Sequence, residues 1–313
     1  MKSSNIGGQA VMEGIMMRSG DQYSIGVRKP DGEIEVKVEP YRSWAKDSSI
    51  WKLPVFRGVA SFFESLVVGI RCLMYSASFI EDEEEDAKKP GKEKTEEQKE
   101  KEEKWLMYGT MTFSVIFSIA LFIMLPYFLA GFLRNVTTSE GVIAVAEACV
   151  RMILFLGYLV LISRMKDIQR VFMYHGAEHK CINCIEHGME LNVENVLKSS
   201  RLHKRCGTSF LFIVMIVSII FFLFIRIESP IWRVVFRLLL IPVIAGVSFE
   251  FIRLAGKSEN KLVIFLSKPG MMLQKLTTRE PDASMAEVAI ASVEAVFDWR
   301  AYLKENFGWQ EKV

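Results

Sequence analysis

The sequence predicts a mainly α-helical, polytopic membrane protein with about four transmembrane helices, a small N-terminal β-containing domain and a cytoplasmic His/Cys loop. Half of the 313 residues are hydrophobic, and the mean hydropathy is +0.21. The apolar residues are concentrated in four runs. Each run is long enough for a helix to cross a bilayer, which takes roughly 20 residues. These runs are 105–133, 142–163, 209–227 and 231–254.

Residues 1–56 are predicted to form the N-terminal β-containing cytoplasmic domain. The stretches YSIGV and EIEVKVEP are typical of strands, and the KPDG between them is typical of a turn in which Pro30 fixes φ and Gly32 takes an unusual backbone angle. The preceding segment GGQAVMEGIMMR matches no phosphate-binding fingerprint. We predict that it forms a tight loop or an early strand, and that its glycines permit a close approach of the backbone to another group.

Residues 57–80 are long enough to cross a membrane, but their charges favour another interpretation. Glu64 and Arg71 are seven positions apart and therefore lie near one face of a helix. We predict an amphipathic or membrane-associated helix; if it crossed the bilayer, the N-terminal domain would lie outside the cytoplasm. Residues 81–104 are almost wholly charged, which predicts a solvated linker or a fraying helix.

The distribution of lysine and arginine predicts the orientation in the membrane. These residues are concentrated before the first apolar run, between the second and third, and after the fourth. The positive-inside rule places such segments in the cytoplasm. We therefore expect transmembrane helices 1–2 in 105–163, a cytoplasmic His/Cys metal loop in 164–208, transmembrane helices 3–4 in 209–256, and both termini in the cytoplasm.

Residues 257–313 are predicted to form membrane-surface and C-terminal helices. Pro269 and Gly270 divide the first part into two apolar pieces that are too short to span a bilayer. From 282 to 307, apolar residues recur with a helical period and predict a helical segment whose one apolar face packs against the cytoplasmic domain. The apolar positions are Met285, Val288, Ala289, Val293, Val296 and Phe297.

Composition also limits the partners. The net charge of +2 does not indicate nucleic-acid binding. The lipid bilayer is the expected partner, while a protein partner and the oligomeric state stay open. Within the predicted spans, Glu147 and Arg151 are four positions apart and can pair on one helical face, and Arg233 and Arg237 have the same spacing near the outer end.

The chemistry of the chain is predicted to reside between residues 175 and 203, where all four histidines occur. His175, Glu178 and His179 form H-x-x-E-H, the inverted zinc-peptidase pattern. On a helix, both imidazoles lie on one face and can bind a single Zn²⁺, with Glu178 as general base. A catalytic zinc has three protein ligands and one open position, so His203, Cys206 or Glu186 would complete the set.

A second interpretation uses the cysteines. Cys181, Cys184, His203 and Cys206 have a spacing that suits a closed, structural zinc site with four ligands. A cytoplasmic location would keep these thiols reduced and free to coordinate. A thiol-redox role for the C-x-x-C is disfavoured, because no thioredoxin-like βαβ pattern surrounds it.

Three motifs in order, GGQAVMEGIMMR, HGAEHK and RLHKRCGTSFL, resemble a widespread bacterial family of multi-pass membrane proteins of unknown function, whose members are often labelled "predicted metal-dependent enzyme". The resemblance covers nearly the whole chain. It departs at Lys204, where the family usually has proline, and it does not include the C-x-x-C, which favours the histidine site. The positions that the resemblance implicates are His175, Glu178, His179, Glu186, His203, Arg205 and Cys206.

Together these features predict a zinc-dependent hydrolase of a peptide, amide or ester bond at the cytoplasmic face of the bacterial cell membrane. The alternative is a non-catalytic membrane scaffold or partner-binding protein whose metal only stabilises the fold. The two differ in the coordination of the metal: three protein ligands and a water support the enzyme, whereas four protein ligands support the scaffold.

Overall fold

The computed structural model describes residues 2–43, 49–87, 96–224, 227, 229–257 and 260–310. Four strands come first: Gly7–Val11 (β1), Gly14–Ser19 (β2), Gln22–Arg28 (β3) and Ile34–Pro40 (β4). The helices are Phe56–Ala87 (α1), Glu96–Ile119 (α2), Leu125–Gly131 (α3), Glu140–Ile162 (α4), Lys166–Glu186 (α5), Val193–Lys198 (α6), Gly207–Phe224 (α7), Pro230–Lys257 (α8), Lys261–Thr277 (α9), Ala283–Glu294 (α10) and Trp299–Phe307 (α11).

The four strands form one antiparallel sheet in the order β1-β2-β3-β4. The predicted hairpin over YSIGV and EIEVKVEP is confirmed as β3 and β4, and Gly32 adopts a φ of 90° in the connection. Of the tight loop and the early strand that were predicted for GGQAVMEGIMMR, the strand is correct. This segment forms β1 and β2, because Met12 and Glu13 turn the chain and Gly8 pairs with Met17 across the hairpin.

One face of the sheet packs against α5 and α10. The shared core contains Ile15 and Met17 of β2, Ile182 of α5 and the apolar face of α10. The predicted apolar positions Met285, Val288, Ala289 and Val293 are all fully buried. The segment 282–307, predicted to be helical, forms two helices, α10 and α11, because the Asp298 side chain accepts a hydrogen bond from the Ala301 N–H and caps the second.

The other face of the sheet packs against α1. Val68 and Cys72 of α1 contact a cluster that includes Val11, Tyr23 and Ile25. The carboxylate of Glu64 is buried and accepts hydrogen bonds from Tyr41 Oη at 2.6 Å and Ser43 Oγ at 2.9 Å. Glu64 is one of the two charged residues on which the prediction of an amphipathic helix in 57–80 rested. It is therefore bound to the N-terminal domain.

In the described part of the chain, five helices are long and apolar enough to cross a membrane, whereas the sequence predicted about four. The segments are Phe56–Phe79, Tyr108–Asn135, Glu140–Ile162, Gly207–Phe224 and Ile231–Gly256. The additional segment lies in α1. This helix is long and apolar enough to cross a membrane, although one of its faces packs on the sheet. Five such helices suggest a membrane protein and are compatible with a lipid-bilayer environment.

The structure also bears on the predictions for the tail around Pro269, the His/Cys segment and the charged segment. Pro269 does not break the tail, since α9 continues through it from Lys261 to Thr277. The predicted His/Cys loop in 164–208 is largely helical, because α5 and α6 lie within it. In the charged segment 81–104, α1 extends to Ala87 and α2 begins at Glu96, and residues 88–95 lie outside the described residues.

The chain divides into two compact units. The first contains residues 1–83, 161–214 and 245–313, and therefore holds the sheet, α5, α6 and α9 to α11. The second contains residues 84–160 and 215–244, and therefore holds α3 and most of α4. All residues of the predicted metal site belong to the first unit.

Candidate metal centre

The two histidines of the H-x-x-E-H motif are held in one tautomer by backbone carbonyls. His175 Nδ1 lies 2.8 Å from the Thr277 carbonyl oxygen, and His179 Nδ1 lies 2.6 Å from the Arg201 carbonyl oxygen. A carbonyl can only accept, so each Nδ1 carries the proton and donates it. Each Nε2 therefore keeps its lone pair, as is usual for a metal-binding histidine.

The third member of the cluster is Cys206, which immediately precedes α7. Its Sγ lies 3.3 Å from His175 Nε2 and accepts a hydrogen bond from the Thr208 N–H at 3.3 Å. The ligand atoms of His175, His179 and Cys206 all lie within 4.8 Å of one another. Because ligands on a tetrahedral zinc are about 3.5 Å apart, a small adjustment would bring all three to bonding distance.

Glu178 lies beside the two imidazoles. Its Oε2 is 3.5 Å from His179 Nε2 and 4.0 Å from His175 Nε2. Burial raises the pKa of this carboxyl, and the neighbouring side chains of His175, His203 and Arg205 offset the shift only in part. A buried carboxyl with a raised pKa suits proton exchange closer to neutral pH than an exposed glutamate does.

The structure does not bring Glu186 and His203 into this cluster. Glu186 accepts hydrogen bonds from the Ser4 N–H and Oγ, both at 2.8 Å, and pairs with Arg205. His203 Nε2 lies 3.5 Å from Glu186 Oε2. Burial acts to raise the pKa of Glu186, but the hydrogen bond from His203 and the charge of Arg205 outweigh it, so that the pKa is lowered.

The backbone of the segment around His203 is fixed separately. The Gln274 side chain of α9 accepts from the His203 N–H at 2.9 Å and donates to the His203 carbonyl at 2.7 Å. Of the five predicted metal ligands, His175, His179 and Cys206 therefore converge. Glu186 and His203 form a neighbouring ion-pair network with Arg205 instead.

The four ligands of the predicted structural zinc site are not grouped in the described part of the chain. Cys181 and Cys184 lie on the face of α5 that packs into the apolar core, and both are fully buried. The Cys184 thiol donates to the Glu190 carbonyl at 3.3 Å. Burial raises the pKa of Cys184 to about 12 and that of Cys181 well above its ordinary value, which disfavours the thiolates that bind metal.

The cluster is more accessible from one side. The side chain of His175 is 19% exposed, whereas that of His179 is 2% exposed and that of Glu178 is 5% exposed. An incoming molecule would therefore approach past His175, with Glu178 and His179 forming the inner wall.

Comparisons with known proteins identify the family of this chain. A family described as "Protein of unknown function (DUF1385)" matches residues 53–299. The chain belongs to this family. It is also 37% identical over 303 residues to "Uncharacterized protein YqhQ" of Bacillus subtilis (strain 168), an alignment that covers 96% of this chain and 94% of that protein. No solved structure matches the chain.

The predicted resemblance to a family of unknown function is thus confirmed, whereas the metal-dependent activity and the bacterial membrane location stay predictions. The DUF1385 match contains the H-x-x-E-H segment of α5 and Cys206, whereas the four strands precede it. The description of the family names no activity, so the chemistry must be argued from the geometry of the residues.

Sequence reasoning missed the groups that orient the site. The carbonyls of Thr277 and Arg201 carry no signal in the sequence, because every residue supplies a carbonyl. Gly8 is a partial exception, because the glycines of GGQAVMEGIMMR predicted a close approach of the backbone to another group. A Cβ at Gly8 would lie 2.6 Å from Glu178 Cγ, so the approached group is the predicted base itself.

Gly176 has a similar role inside α5. A Cβ at this position would collide with the Arg279 carbonyl oxygen. The Arg279 N–H in turn donates to the Phe172 carbonyl at 2.8 Å. Glycine therefore allows the segment that follows Thr277, the last residue of α9, to lie directly against the helix that carries both histidines.

Proposed function

We propose that the protein is a zinc-dependent hydrolase that cleaves a peptide, amide or ester bond at the cytoplasmic face of a bacterial cell membrane. The observation that carries the proposal is the convergence of His175, His179 and Cys206 with a buried carboxylate, Glu178, 3.5 Å from His179 Nε2. This arrangement combines three metal ligands with a neighbouring proton acceptor, as catalytic zinc sites require.

The donor set fits zinc. One sulfur and two imidazole nitrogens are ligands that Zn²⁺ prefers, whereas Mg²⁺ and Ca²⁺ prefer oxygen. Both Nε2 atoms are available because the Nδ1 atoms donate to carbonyls. Those carbonyls also fix the orientation of the rings, which lowers the entropy cost of binding an ion.

When bound, zinc supplies Lewis-acid polarisation and lowers the pKa of a bound water. Glu178 accepts a proton from the attacking water and returns it to the leaving group. Its raised pKa favours the second of these transfers, and burial among His175 and His179 holds the carboxylate near the reacting atoms. The more exposed His175 borders the path by which a substrate enters.

For the membrane topology, we propose four crossings, with α1 lying along the N-terminal domain and both termini in the cytoplasm. The packing of Val68 and Cys72 against the sheet and the hydrogen bonds of Glu64 support this assignment of α1. A membrane-impermeant maleimide applied to intact cells tests the orientation, in a background lacking the exposed Cys149. It should label a cysteine at Thr138 but none at Glu190, and labelling at Glu190 would reverse the orientation.

The alternative is a structural metal site in which Glu178 is the fourth ligand. Its Oε2 is close enough to both imidazoles for a modest side-chain movement to complete a closed tetrahedral site. Such a site would stabilise the contact of α5 with α7 without catalysing a reaction.

One substitution separates the two proposals. In the enzyme, Glu178→Gln should retain one zinc per chain while hydrolysis of a panel of fluorogenic peptides, amides and esters falls by about 10²–10⁴-fold. In the structural site, the same change should weaken zinc binding. The matched control is Glu190→Gln, an exposed glutamate just beyond the end of α5. If wild-type protein binds no zinc, both proposals are wrong.

A further inference from the structure

The second compact unit contains a cavity of about 970 Å³ that no part of the proposed hydrolase uses. It lies among α3, the first half of α4, the end of α7 and the start of α8. Part of its wall is aromatic: Phe128 and Phe132 are largely exposed, and Phe222 also lines the cavity. Among the described residues, three arginines and two glutamates line the remainder, and together they carry one positive charge in excess: Arg134, Arg233, Arg237, Glu140 and Glu147.

A buried ion cluster forms the inner part of this wall. Glu147 accepts a hydrogen bond from Arg151 Nη2 at 2.7 Å and one from Arg237 Nη2 at 2.8 Å. Arg237 Nη1 lies 2.6 Å from Glu147 Oε1, within ion-pair distance, but has no well-aligned hydrogen-bond acceptor. Two guanidinium groups thus share one carboxylate. Ionisable groups within membrane helices are costly, and they commonly mark a binding site or a pathway.

Arg233 lies one helical turn before Arg237 and lines the same cavity. Its Nε donates to the Ile227 carbonyl at 2.8 Å, and its guanidinium is 5.6 Å from the ring centroid of Tyr127. Among the described residues it pairs with no acidic side chain, whereas Arg134 pairs with Glu140. Arg233 therefore offers charge and donors that nearby carboxylates of the described chain do not neutralise.

We propose that this cavity binds a phosphate-bearing amphiphile, with the phosphate near Arg233 and the hydrocarbon along Phe128 and Phe132. The planar fork of arginine matches phosphate oxygens, and an aromatic wall at the surface of an apolar helix suits an acyl chain. The volume lies in the usual range of ligand sites, about 300–1,000 Å³. The site is independent of the metal cluster, because every residue that forms it belongs to the second unit.

Isothermal titration of the full-length protein in a neutral detergent tests the proposal with three probes. Dihexanoyl phosphatidic acid should bind tightly, whereas dihexanoyl phosphatidylcholine and inorganic phosphate should bind weakly or not at all. Arg233→Gln should weaken the binding of phosphatidic acid by about 10–100-fold, as expected for loss of one charge-assisted contact. Arg253→Gln, the same change in charge on the same helix but outside the cavity, should bind like wild type.

Gly131→Phe provides a second variant without a change in charge. Gly131 lines the cavity, and a Cβ there meets no atom within 4 Å, so the new side chain starts in open space and its ring should occupy the cavity. This variant should lose phosphatidic acid binding while its unfolding temperature and zinc content stay unchanged, which separates this site from the hydrolase.

Three results would overturn the proposal. Equal binding of phosphatidic acid and phosphatidylcholine would exclude recognition of the phosphate charge. Wild-type affinity in a folded Gly131→Phe protein would exclude the cavity as the site. Inorganic phosphate that binds as tightly as phosphatidic acid and competes with it would exclude the amphiphile and assign the cavity to soluble phosphates.

Discussion

Two faces of α5 carry similar residue types but differ completely in their surroundings. One face presents His175, Glu178 and His179 to Cys206 and to backbone carbonyls from distant segments. The opposite face places Cys181 and Cys184 in the apolar core beneath the sheet. Because a helix turns by about 100° per residue, two positions along the chain separate His179 from Cys181 by about 200°. The position of a residue around the helix axis, rather than its residue type, therefore decides whether it faces the metal cluster or packs into the apolar core.

This difference predicts that substitutions on the two faces will have separable effects. The histidine face depends on a few directional contacts, so its variants should lose metal and retain most of the fold. The cysteine face depends on close packing, so its variants should lose stability and retain the metal. Substitutions on each face test this difference.

The largest effect is expected for His179→Ala. Loss of a partner that only orients a ligand costs about 10–100-fold in metal affinity, and loss of the ligand itself should cost more. We expect zinc to fall below detection by elemental analysis of purified protein, with the α-helical content unchanged. His187→Ala is the matched control, because His187 ends the same helix and donates to the Asn183 carbonyl instead. Full zinc occupancy in His179→Ala would refute the site.

The next effect concerns Glu186, which the sequence nominated as a ligand and the structure assigns to an ion-pair network. Glu186→Gln should lower the free energy of unfolding by about 1.5–3 kcal/mol, since it removes charge-assisted bonds to a buried group. Zinc content should not change. Loss of zinc with unchanged stability would restore Glu186 as a ligand.

The pH dependence of this stabilisation has a definite sign. The pKa of Glu186 in the folded protein is below the ordinary value of 4.5, so the folded state favours the ionised carboxylate. The stability difference between wild type and Glu186→Gln should therefore be fully present above pH 4.5 and should disappear as the pH falls through the folded pKa. Chemical unfolding in detergent micelles at several pH values measures it.

Much of the fold was predictable because helical and membrane patterns are local. The apolar runs predicted the long helices, and the KPDG turn predicted the β3–β4 hairpin. The β1–β2 hairpin was predicted only as a loop or an early strand, because the glycines and methionines of GGQAVMEGIMMR carry little strand signal. The count of spans differed because α1 meets the length criterion while Glu64 depends on Tyr41, a contact that no local pattern reveals.

The candidate site was predictable only in part for the same reason. The H-x-x-E-H spacing is local and nominated His175, Glu178 and His179. The choice among Cys206, His203 and Glu186 depends on how the chain returns to α5 after α6, and spacing does not encode that path. The ligand roles stay predictions, although the geometry now favours Cys206 and gives Glu186 another partner in Arg205.

A smaller effect is expected for Gly8→Ala, which tests the support behind Glu178. The new methyl group would lie 2.6 Å from Glu178 Cγ, so the carboxylate must move. We expect hydrolysis to fall roughly tenfold, a typical consequence of a displaced catalytic group, with zinc retained. Gly7→Ala is the control, since a Cβ there meets no atom within 4 Å. Equal activity of the two variants would show that the position of Glu178 does not limit the reaction.

The smallest effect is expected on the core face, for Cys184→Ala. Removal of one buried sulfur should cost about 1 kcal/mol of stability, because the space that it leaves is small and its hydrogen bond to the Glu190 carbonyl is weak. Cys206→Ala instead removes a sulfur from the cluster with His175 and His179, and should abolish zinc binding. If Cys184→Ala lowers the zinc content as much as Cys206→Ala does, the two faces of α5 share one site and the four-ligand structural zinc is correct.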